Sequence, residues 1–365
     1  MNISEIIETL ETIAPQALQE SYDNAGLLTG NTGWDCTGVL CTLDATEAII
    51  REAIATGCNL VVAHHPIIFT GLKKINGKNY VEKAVIAAIK NDIAIYAIHT
   101  NLDNVLQGVN ARIADALGMV NRKILSPKPA QLAKLFTFAP PDFVEKILEA
   151  LYQAGAGNIG QYSQVSFTSE GTGHFTPSVH ANPFSGNPGR PQKEREIKLE
   201  VIFPAYLQQK IVASLREVHP YEEVAYDIVS LANESSDTGS GLIGELAEPV
   251  TETFFLQKIQ HAFGLKAFRH TDLLNKKVQR IAVCGGAGSF LIGAAKRAGA
   301  DFYISSDIKY HEFFDAENKL VIADIGHWES EQFTIDLLHE ILQAKFPTFA
   351  VLKSTLRTNP VHYFV

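Results

Sequence analysis

At 365 residues the chain is long for one domain and points to two, one inserted into the other. With 46% hydrophobic and 19% charged residues it can bury a sizeable core, which rules out an intrinsically disordered chain. Its formal charge of -9 weighs against a general binder of nucleic acid or anionic membrane, because such surfaces carry excess Lys and Arg.

The opening residues Met1 to Glu5 lack the basic start and apolar core of a secretory signal. No apolar run approaches the roughly 18 residues that a membrane helix needs, so the expected compartment is the cytoplasm. Cys36, Cys41, Cys58 and Cys284 have neither metal-finger nor CxxC spacing and are read as buried free thiols.

Ile3, Ile6, Ile7, Leu10 and Ile13 mark an amphipathic first helix that ends near Pro15. A turn-rich segment, Tyr22 to Gly30, surrounds a short strand. Gly38 to Leu43 is the next strand, and it leads through Asp44-Ala45-Thr46 into a helix from Glu47 to Ala55. A second unit has the strand Asn59 to Ala63, followed by His64-His65-Pro66. The third has a helix over Val81 to Lys90 and a strand over Ile93 to Ile98, followed by His99-Thr100-Asn101-Leu102-Asp103. Two adjacent imidazoles at a strand end, where α/β folds bind ligands, suit a metal better than a core.

Between Leu132 and Leu231 the pattern changes. Strands are expected over Leu132 to Phe138, Tyr162 to Thr168, Glu196 to Phe203 and Val224 to Leu231, with helices over Asp142 to Ala154 and Ala205 to Val218. A Gly- and Pro-rich loop fills Ser169 to Gln192. This doubled βαβ is the pattern of a ferredoxin-like α+β domain, here inserted into an α/β domain formed by both chain ends. The expected boundaries are 1–131 and 232–365 for the outer domain and 132–231 for the insert.

The outer domain resumes at Gly239 to Leu246, with a helix over Thr251 to Phe263. The strand Arg280 to Cys284 then runs into Gly285-Gly286-Ala287-Gly288-Ser289, a turn whose backbone amides are candidates to cradle an anion. The strand Phe302 to Ser305 precedes Asp307 and His311. The strand Leu320 to Ala323 precedes Gly326-His327-Trp328-Glu329-Ser330-Glu331, where Ser330 is a candidate cap and His327 and Glu331 share one helix face.

Five strand ends thus carry Asp44, His64 and His65, His99 and Asp103, Asp307 and His311, and His327 and Glu331. Imidazoles and carboxylates without thiolate suit Zn, Mn, Fe, Co or Ni, and the inventory is large enough for two ions with a bridging carboxylate.

In this order, His64-His65-Pro66, His99-Thr100-Asn101-Leu102-Asp103 and Gly326 to Glu331 resemble the Nif-three-like family, whose bacterial members are labelled GTP cyclohydrolase I type 2 homologues. Asp23 to Leu27, Cys284 to Ser289, Gly155 to Gly160, Ala181-Asn182-Pro183 and His219-Pro220-Tyr221-Glu222-Glu223 extend the likeness over nearly the whole chain. The resemblance implies a dinuclear centre with His64, His65, Asp103, His327 and Glu331 as ligands and Glu331 touching both ions. The expected cofactors are two divalent transition-metal ions per chain, zinc first, with Fe, Mn, Co or Ni as alternatives. His99, Asp44, Asp307 and His311 fall at or behind the site, the last three as candidates to move a proton. The resemblance also implies a PII/CutA-like insert, ring-shaped hexamers and a metal-dependent hydrolase acting on a nucleotide or another phosphate-bearing small molecule. The alternative is a metal-binding scaffold or regulator whose insert senses a small molecule. Trp328 stands where Tyr or His is more usual, and Ser305-Ser306-Asp307 replaces Thr-Gly-Asp; neither change removes a ligand.

Overall fold

The computed structural model describes residues 1–364. The chain divides into two compact units, Met1–Pro127 together with the chain from Asp237 onward, and Lys128–Ser236. The second unit is wider than the stretch 132–231 in which the sequence pattern changes, because strand Met119–Pro127 pairs with Gly239–Thr251 up to Gly239 opposite Pro127. The chain therefore leaves and re-enters the first unit at one point of one antiparallel ladder.

The first unit contains two sheets rather than one. The five-stranded sheet has the order Gly26–Thr29, Ala94–Ala97, Leu60–His65, Val39–Asp44, Val351–Lys353, parallel throughout except at its first strand. Both faces of such a sheet are covered, so its strands are apolar without alternation. Val39, Cys41, Leu60, Val62 and Tyr96 face Ile3, Ile6 and Leu10 of the first helix and Leu338 and Leu342 of the last. Leu40, Val61, Ala63 and Ile95 face Ile49, Ile50, Ala84 and Val85 of the helices Glu47–Thr56 and Tyr80–Lys90. Thr46 caps the first of these two helices and Asn79 the second, each accepting from the amide three residues on.

The six-stranded sheet has the order Arg269–His270, Val321–Asp324, Phe302–Ser306, Lys277–Ala287, Gly239–Thr251, Met119–Pro127. Its three parallel central strands bury Ile281, Val283, Phe302 and Ile304 against Ile113, Phe255 and Ile259 on one face, and Ala282, Tyr303 and Ile322 against Ile292 and Ala295 on the other. All four cysteines are buried and free. No described helix is long and apolar enough to cross a membrane.

The helix Val109–Ala116 and the strands Met119–Pro127, Arg269–His270 and Val351–Lys353 of this unit carry no assignment from the sequence. Another reading needs correction: the strand Lys277–Ala287 runs through Gly285 and Gly286, which are therefore not in a strand-to-helix turn.

The second unit is an antiparallel sheet in the order Ser166–Phe175, Gln192–Pro204, Leu132–Ala139, Tyr226–Ser230. Alternate residues Ala133, Leu135, Leu199, Val201 and Phe203 pack against Ile147, Leu151, Ile211 and Leu215 of the helices Val144–Gln153 and Gln208–Val218. The first of those strands was expected to end at Thr168; it begins later and reaches Phe175, held by ladder bonds to Gln192–Pro204 while its side chains stay largely exposed.

Because Pro127 and Gly239 are ladder partners, replacing Lys128–Ser236 with a short Gly/Ser loop leaves a closable hairpin. The shortened protein is expected to be soluble, with a single cooperative melting transition and the parent's metal content. An insoluble product, or one that takes up no metal where the parent does, would show that the first unit does not fold alone.

Candidate metal centre

The two sheets bring their strand ends to one place. His64 and His65 are the last residues of Leu60–His65, while His99 and Asp103 lie just past Ala94–Ala97. From the other sheet come Asp307, after Phe302–Ser306, and His327 and Glu331, on the one-and-a-half-turn helix His327–Glu331. As the spacing of four requires, His327 Nε2 and Glu331 Oε2 lie 3.2 Å apart on one face. The rings of His64, His65 and His99 meet in pairs with centroids 4.9–5.4 Å apart, and His65 meets His327 at 5.2 Å.

Each imidazole has its Nδ1 committed to an acceptor. His64 Nδ1 donates to the Ile98 carbonyl (2.9 Å), His65 Nδ1 to Asp44 Oδ1 (2.8 Å), His99 Nδ1 to Asp23 Oδ1 (2.8 Å) and His327 Nδ1 to Asp307 Oδ2 (2.5 Å). None of these acceptors carries a proton, so in all four rings Nδ1 carries a proton and Nε2 faces the centre. This is how ligating histidines are held, with the far nitrogen fixing tautomer and ring direction. Asp307 itself sits at φ +56°, a left-handed backbone that Asp tolerates, and its side chain bends back toward His327.

Glu331 is 2% exposed and is shared by two donor groups. Its Oε2 faces His65 Nε2 at 2.9 Å and His327 Nε2 at 3.2 Å. Its Oε1 faces His64 Nε2 at 3.7 Å, and His64 Nε2 lies 3.6 Å from Asp103 Oδ1. His64 Nε2 and Asp103 Oδ1 are buried without a hydrogen-bond partner. Orphaned buried polar atoms are costly, and two of them aimed at one point beside a carboxylate fit a cation. Three overlapping groups meet the spacing of metal ligands: His64, His65 and His99; His65, His327 and Glu331; His64, Asp103 and Glu331.

Two glycines make room for Glu331 and its helix. A Cβ on Gly286, at φ +63°, would lie 2.4 Å from Glu331 Oε1, and one on Gly326, at φ +92°, would lie 2.4 Å from Glu329 Oε2. Two amides of the stretch expected to cradle an anion are already engaged. Gly285 N donates to Asn110 Oδ1 (2.9 Å) and Gly286 N to Ser330 Oγ (3.0 Å). Ser330, expected as a cap, instead donates to the His327 carbonyl at 2.8 Å and ties the helix to the glycine strand.

An outer layer went unread in the sequence. Asp23 bonds His99 and also accepts from the amide and hydroxyl of Thr100. Thr358, near the C-terminus, donates its hydroxyl to Asp44 Oδ2, and Asn359 Nδ2 donates to the buried Glu329 at 2.7 Å. Arg357 lies over the Trp328 ring, 4.4 Å from its centroid. These bonds span tens to hundreds of residues, so no local spacing announces them; only the Asp23 turn and the carboxylates themselves were visible. His311 lies on the exposed turn after Phe302–Ser306, packs on Tyr310 and Phe314, and joins none of the three groups.

Beside the cluster is a cavity of about 450 Å³, walled by Phe268, Trp328 and Tyr363, by His65 and His327, and by Arg269. Asp44, Asp307, Asp324 and Glu329 also face it, so carboxylates outnumber the one guanidinium, and that guanidinium is paired with Asp324.

Burial alone would push the imidazolium of His65 down, but the Glu331 charge and the bonds to Asp44 and Glu331 overcome it and hold the ring's pKa at about 10. The same contest at His327, with Glu331 and Asp307 as partners, ends at about 11. For Glu331, burial opposes ionisation, but the charges of His327 and His65 win and hold its carboxyl well below the usual range. In protein stripped with a chelator these two rings therefore hold protons at pH 7.5, and a metal must displace them. Zinc titration at that pH is expected to release about two protons, read from calorimetry in buffers of different ionisation heat, and affinity should rise with pH up to about 10. Uptake without proton release would place the metal elsewhere. Asp44→Asn, which keeps shape but loses charge behind His65, should weaken zinc binding about 10–100-fold.

The family model Duf34/NIF3 (NGG1p interacting factor 3) matches residues 1–360. The "GTP cyclohydrolase 1 type 2 homolog" of Halalkalibacterium halodurans is 38% identical over 360 residues, covering 97% of each chain. Among solved structures, the Bacillus cereus protein related to NIF3 superposes with a TM-score of 0.87 at 38% identity, covering 100% of this chain and 99% of that one. The Staphylococcus aureus protein SA1388 does so at 0.78 and 28%, with the same coverage. With full-length matches in sequence and in fold, and a histidine and carboxylate cluster at the meeting of its two sheets, this chain belongs to the DUF34/NIF3 family.

Proposed function

We propose that the protein binds two divalent transition-metal ions per chain and uses them to hydrolyse a small substrate held in the adjoining cavity. The observation that carries this reading is the division of donors about Glu331: His65 and His327 on one oxygen, His64 and Asp103 on the other side. His64, His65, Asp103, His327 and Glu331 would be the ligands, with Glu331 common to both ions, and His99 stands by as a further nitrogen donor. Nitrogen and oxygen donors without thiolate suit zinc first, then Fe, Mn, Co or Ni. Bound there, a metal pair would supply Lewis acidity to polarise the substrate and to lower the pKa of water toward neutrality.

The protein's own groups have separable tasks. Asp44, Asp23 and the Ile98 carbonyl hold three rings in register. Asp307 holds the fourth, and because its side chain is 52% exposed and lines the cavity, it is also the candidate best placed to take or return a proton. His311 has no partner in the cluster that would give it this role. Phe268, Trp328 and Tyr363 offer ring faces to a planar substrate. The relatives' name points to GTP. A triphosphate would depend on the metals for its charge, since the Gly285 and Gly286 amides are already engaged and the Arg269 guanidinium on the wall is paired.

The second unit is read as ferredoxin-like from its order of strands and its two helices on one face, and its PII/CutA type and the hexameric ring rest on the family resemblance. A metal-held scaffold with a sensing insert is the rival reading; a large cavity in that unit is the observation in its favour.

Elemental analysis of protein purified without chelator should find close to two metals per chain. Glu331→Gln should lower occupancy of both, and His64→Ala mainly of one. With metal saturating, GTP, other nucleotides and simple phosphodiesters should be assayed with ring opening and phosphate release followed separately; Asp307→Asn should cut turnover of the true substrate by about 10²–10⁴. If no substrate is turned over above the Asp103→Ala level, the scaffold reading replaces the hydrolase.

A further inference from the structure

A second cavity lies wholly within the second unit, which holds none of the candidate metal ligands. It measures about 780 Å³, well inside the range of small-molecule sites. Strand alternation explains its floor. On Leu132–Ala139 and Gln192–Pro204 the residues Ala133, Leu135, Leu199 and Val201 face the helices, so Phe138, Glu196 and Lys198 point to the opposite face. The segment 176–191 and the turn His219 to Glu223 wall that face; Ala181, Pro183, Tyr221, Glu222 and Glu223, all in motifs to which the metal centre gives no role, line the cavity.

Its chemistry is one-sided. Glu196 is 8% exposed, and its Oε1 accepts from the Tyr221 hydroxyl at 2.8 Å. Its other oxygen lies over Gly173, where a Cβ would come within 2.1 Å, and no hydrogen bond is made to it by the described residues. Tyr221 is itself fixed: its amide donates to His219 Nδ1 (3.2 Å), and His219 Nε2 donates to the Phe138 carbonyl (3.0 Å). The Tyr221 and Phe184 rings are 5.8 Å apart, and Phe184 meets Phe143 edge to face at 5.6 Å. Asn182 N donates to Glu222 at 3.0 Å, which ties the long segment to the turn.

The charges that could balance Glu196 are engaged elsewhere. Lys198, the one Lys or Arg on the wall, bonds Glu200 at 2.8 Å and lies over Phe136, while Glu170 is taken by Arg195 at 2.6 Å. Glu222 and Glu223 add negative charge, and His174 is the remaining titratable group of the wall. A buried carboxylate with a free oxygen, flanked by aromatic faces, is the environment that attracts an ammonium or guanidinium group and repels phosphate.

We propose that this cavity is a binding site for a small organic cation, an amine or guanidinium compound that donates to Glu196 and stacks against Tyr221 and Phe184. The site is independent of the metal centre and holds whichever reading of that centre is right. It also sets this unit apart from a receptor for nucleotides or carboxylic acids, which would need free cations on the wall.

The test is calorimetric titration of the full-length, metal-loaded protein with spermidine, agmatine and choline, and with ATP and glutamate for comparison. At least one cation is expected to bind with a Kd of about 1 mM or tighter. Glu196→Gln, which keeps the shape and the Tyr221 bond, should weaken it by about thirtyfold or more. Phe184→Ala, at a half-exposed position, should weaken it severalfold and serves if Glu196→Gln misfolds. The proposal is overturned if no cation binds, if binding survives both substitutions unchanged, or if ATP or glutamate binds in the cations' place.

Discussion

Glu331 is a carboxylate with almost no access to water, and burying such a charge is tolerable only when opposite charge or hydrogen-bond donors surround it. Everything around it meets that condition. Two imidazoles crowd one oxygen, a third faces the other, and each ring is held by an acceptor behind it. Two glycines clear the space the side chain and its helix need. A neutral apolar residue at position 331 would remove the reason for most of these arrangements.

The hydrophobic cores deliver these groups rather than merely surrounding them. Parallel strands covered on both faces end in register, so their last residues share one edge, and the two sheets of the first unit each present such an edge. The five-stranded sheet contributes rings that sit in or beside buried backbone, with His64 fully enclosed. The six-stranded sheet contributes Glu331 and the more exposed His327 and Asp307, which border the cavity where a substrate would arrive. Rigid strand ends on one side and an open wall on the other suit a centre that must fix its ligands yet admit a reactant.

Most of this was legible wherever the signal is local. Buried strands read as apolar runs, amphipathic helices as a 3.6-residue period, and the ligand candidates as polar residues placed just where an apolar run stops. Legibility failed where local patterning is absent. In Met119–Pro127, Asn121 sits at φ +51° beside a bulge and breaks the alternation, so the strand looks like a charged loop. Ser166–Phe175 buries little on either face and is held by backbone bonds, so hydrophobicity cannot report it. The glycine stretch looked like an anion loop because sequence shows amides but not what they bond; Asn110 and Ser330, 175 and 44 residues away, take those of Gly285 and Gly286. Asp44 and Asp307 were found by position, but no local pattern shows that Asp44 bonds the His65 ring and Asp307 the His327 ring.

The centre is also unusually non-local. His65 meets Glu331 across 266 residues, and Thr358 closes on Asp44 across 314. During synthesis the His64, His65, His99 and Asp103 half exists long before its complement, and the entire second unit is made in between. A nascent chain can therefore offer a loose, incomplete set of donors but not the shared carboxylate. Completion of the donor cluster becomes an event of maturation, reached only once the helix carrying His327 and Glu331 has docked against the strand ends made first.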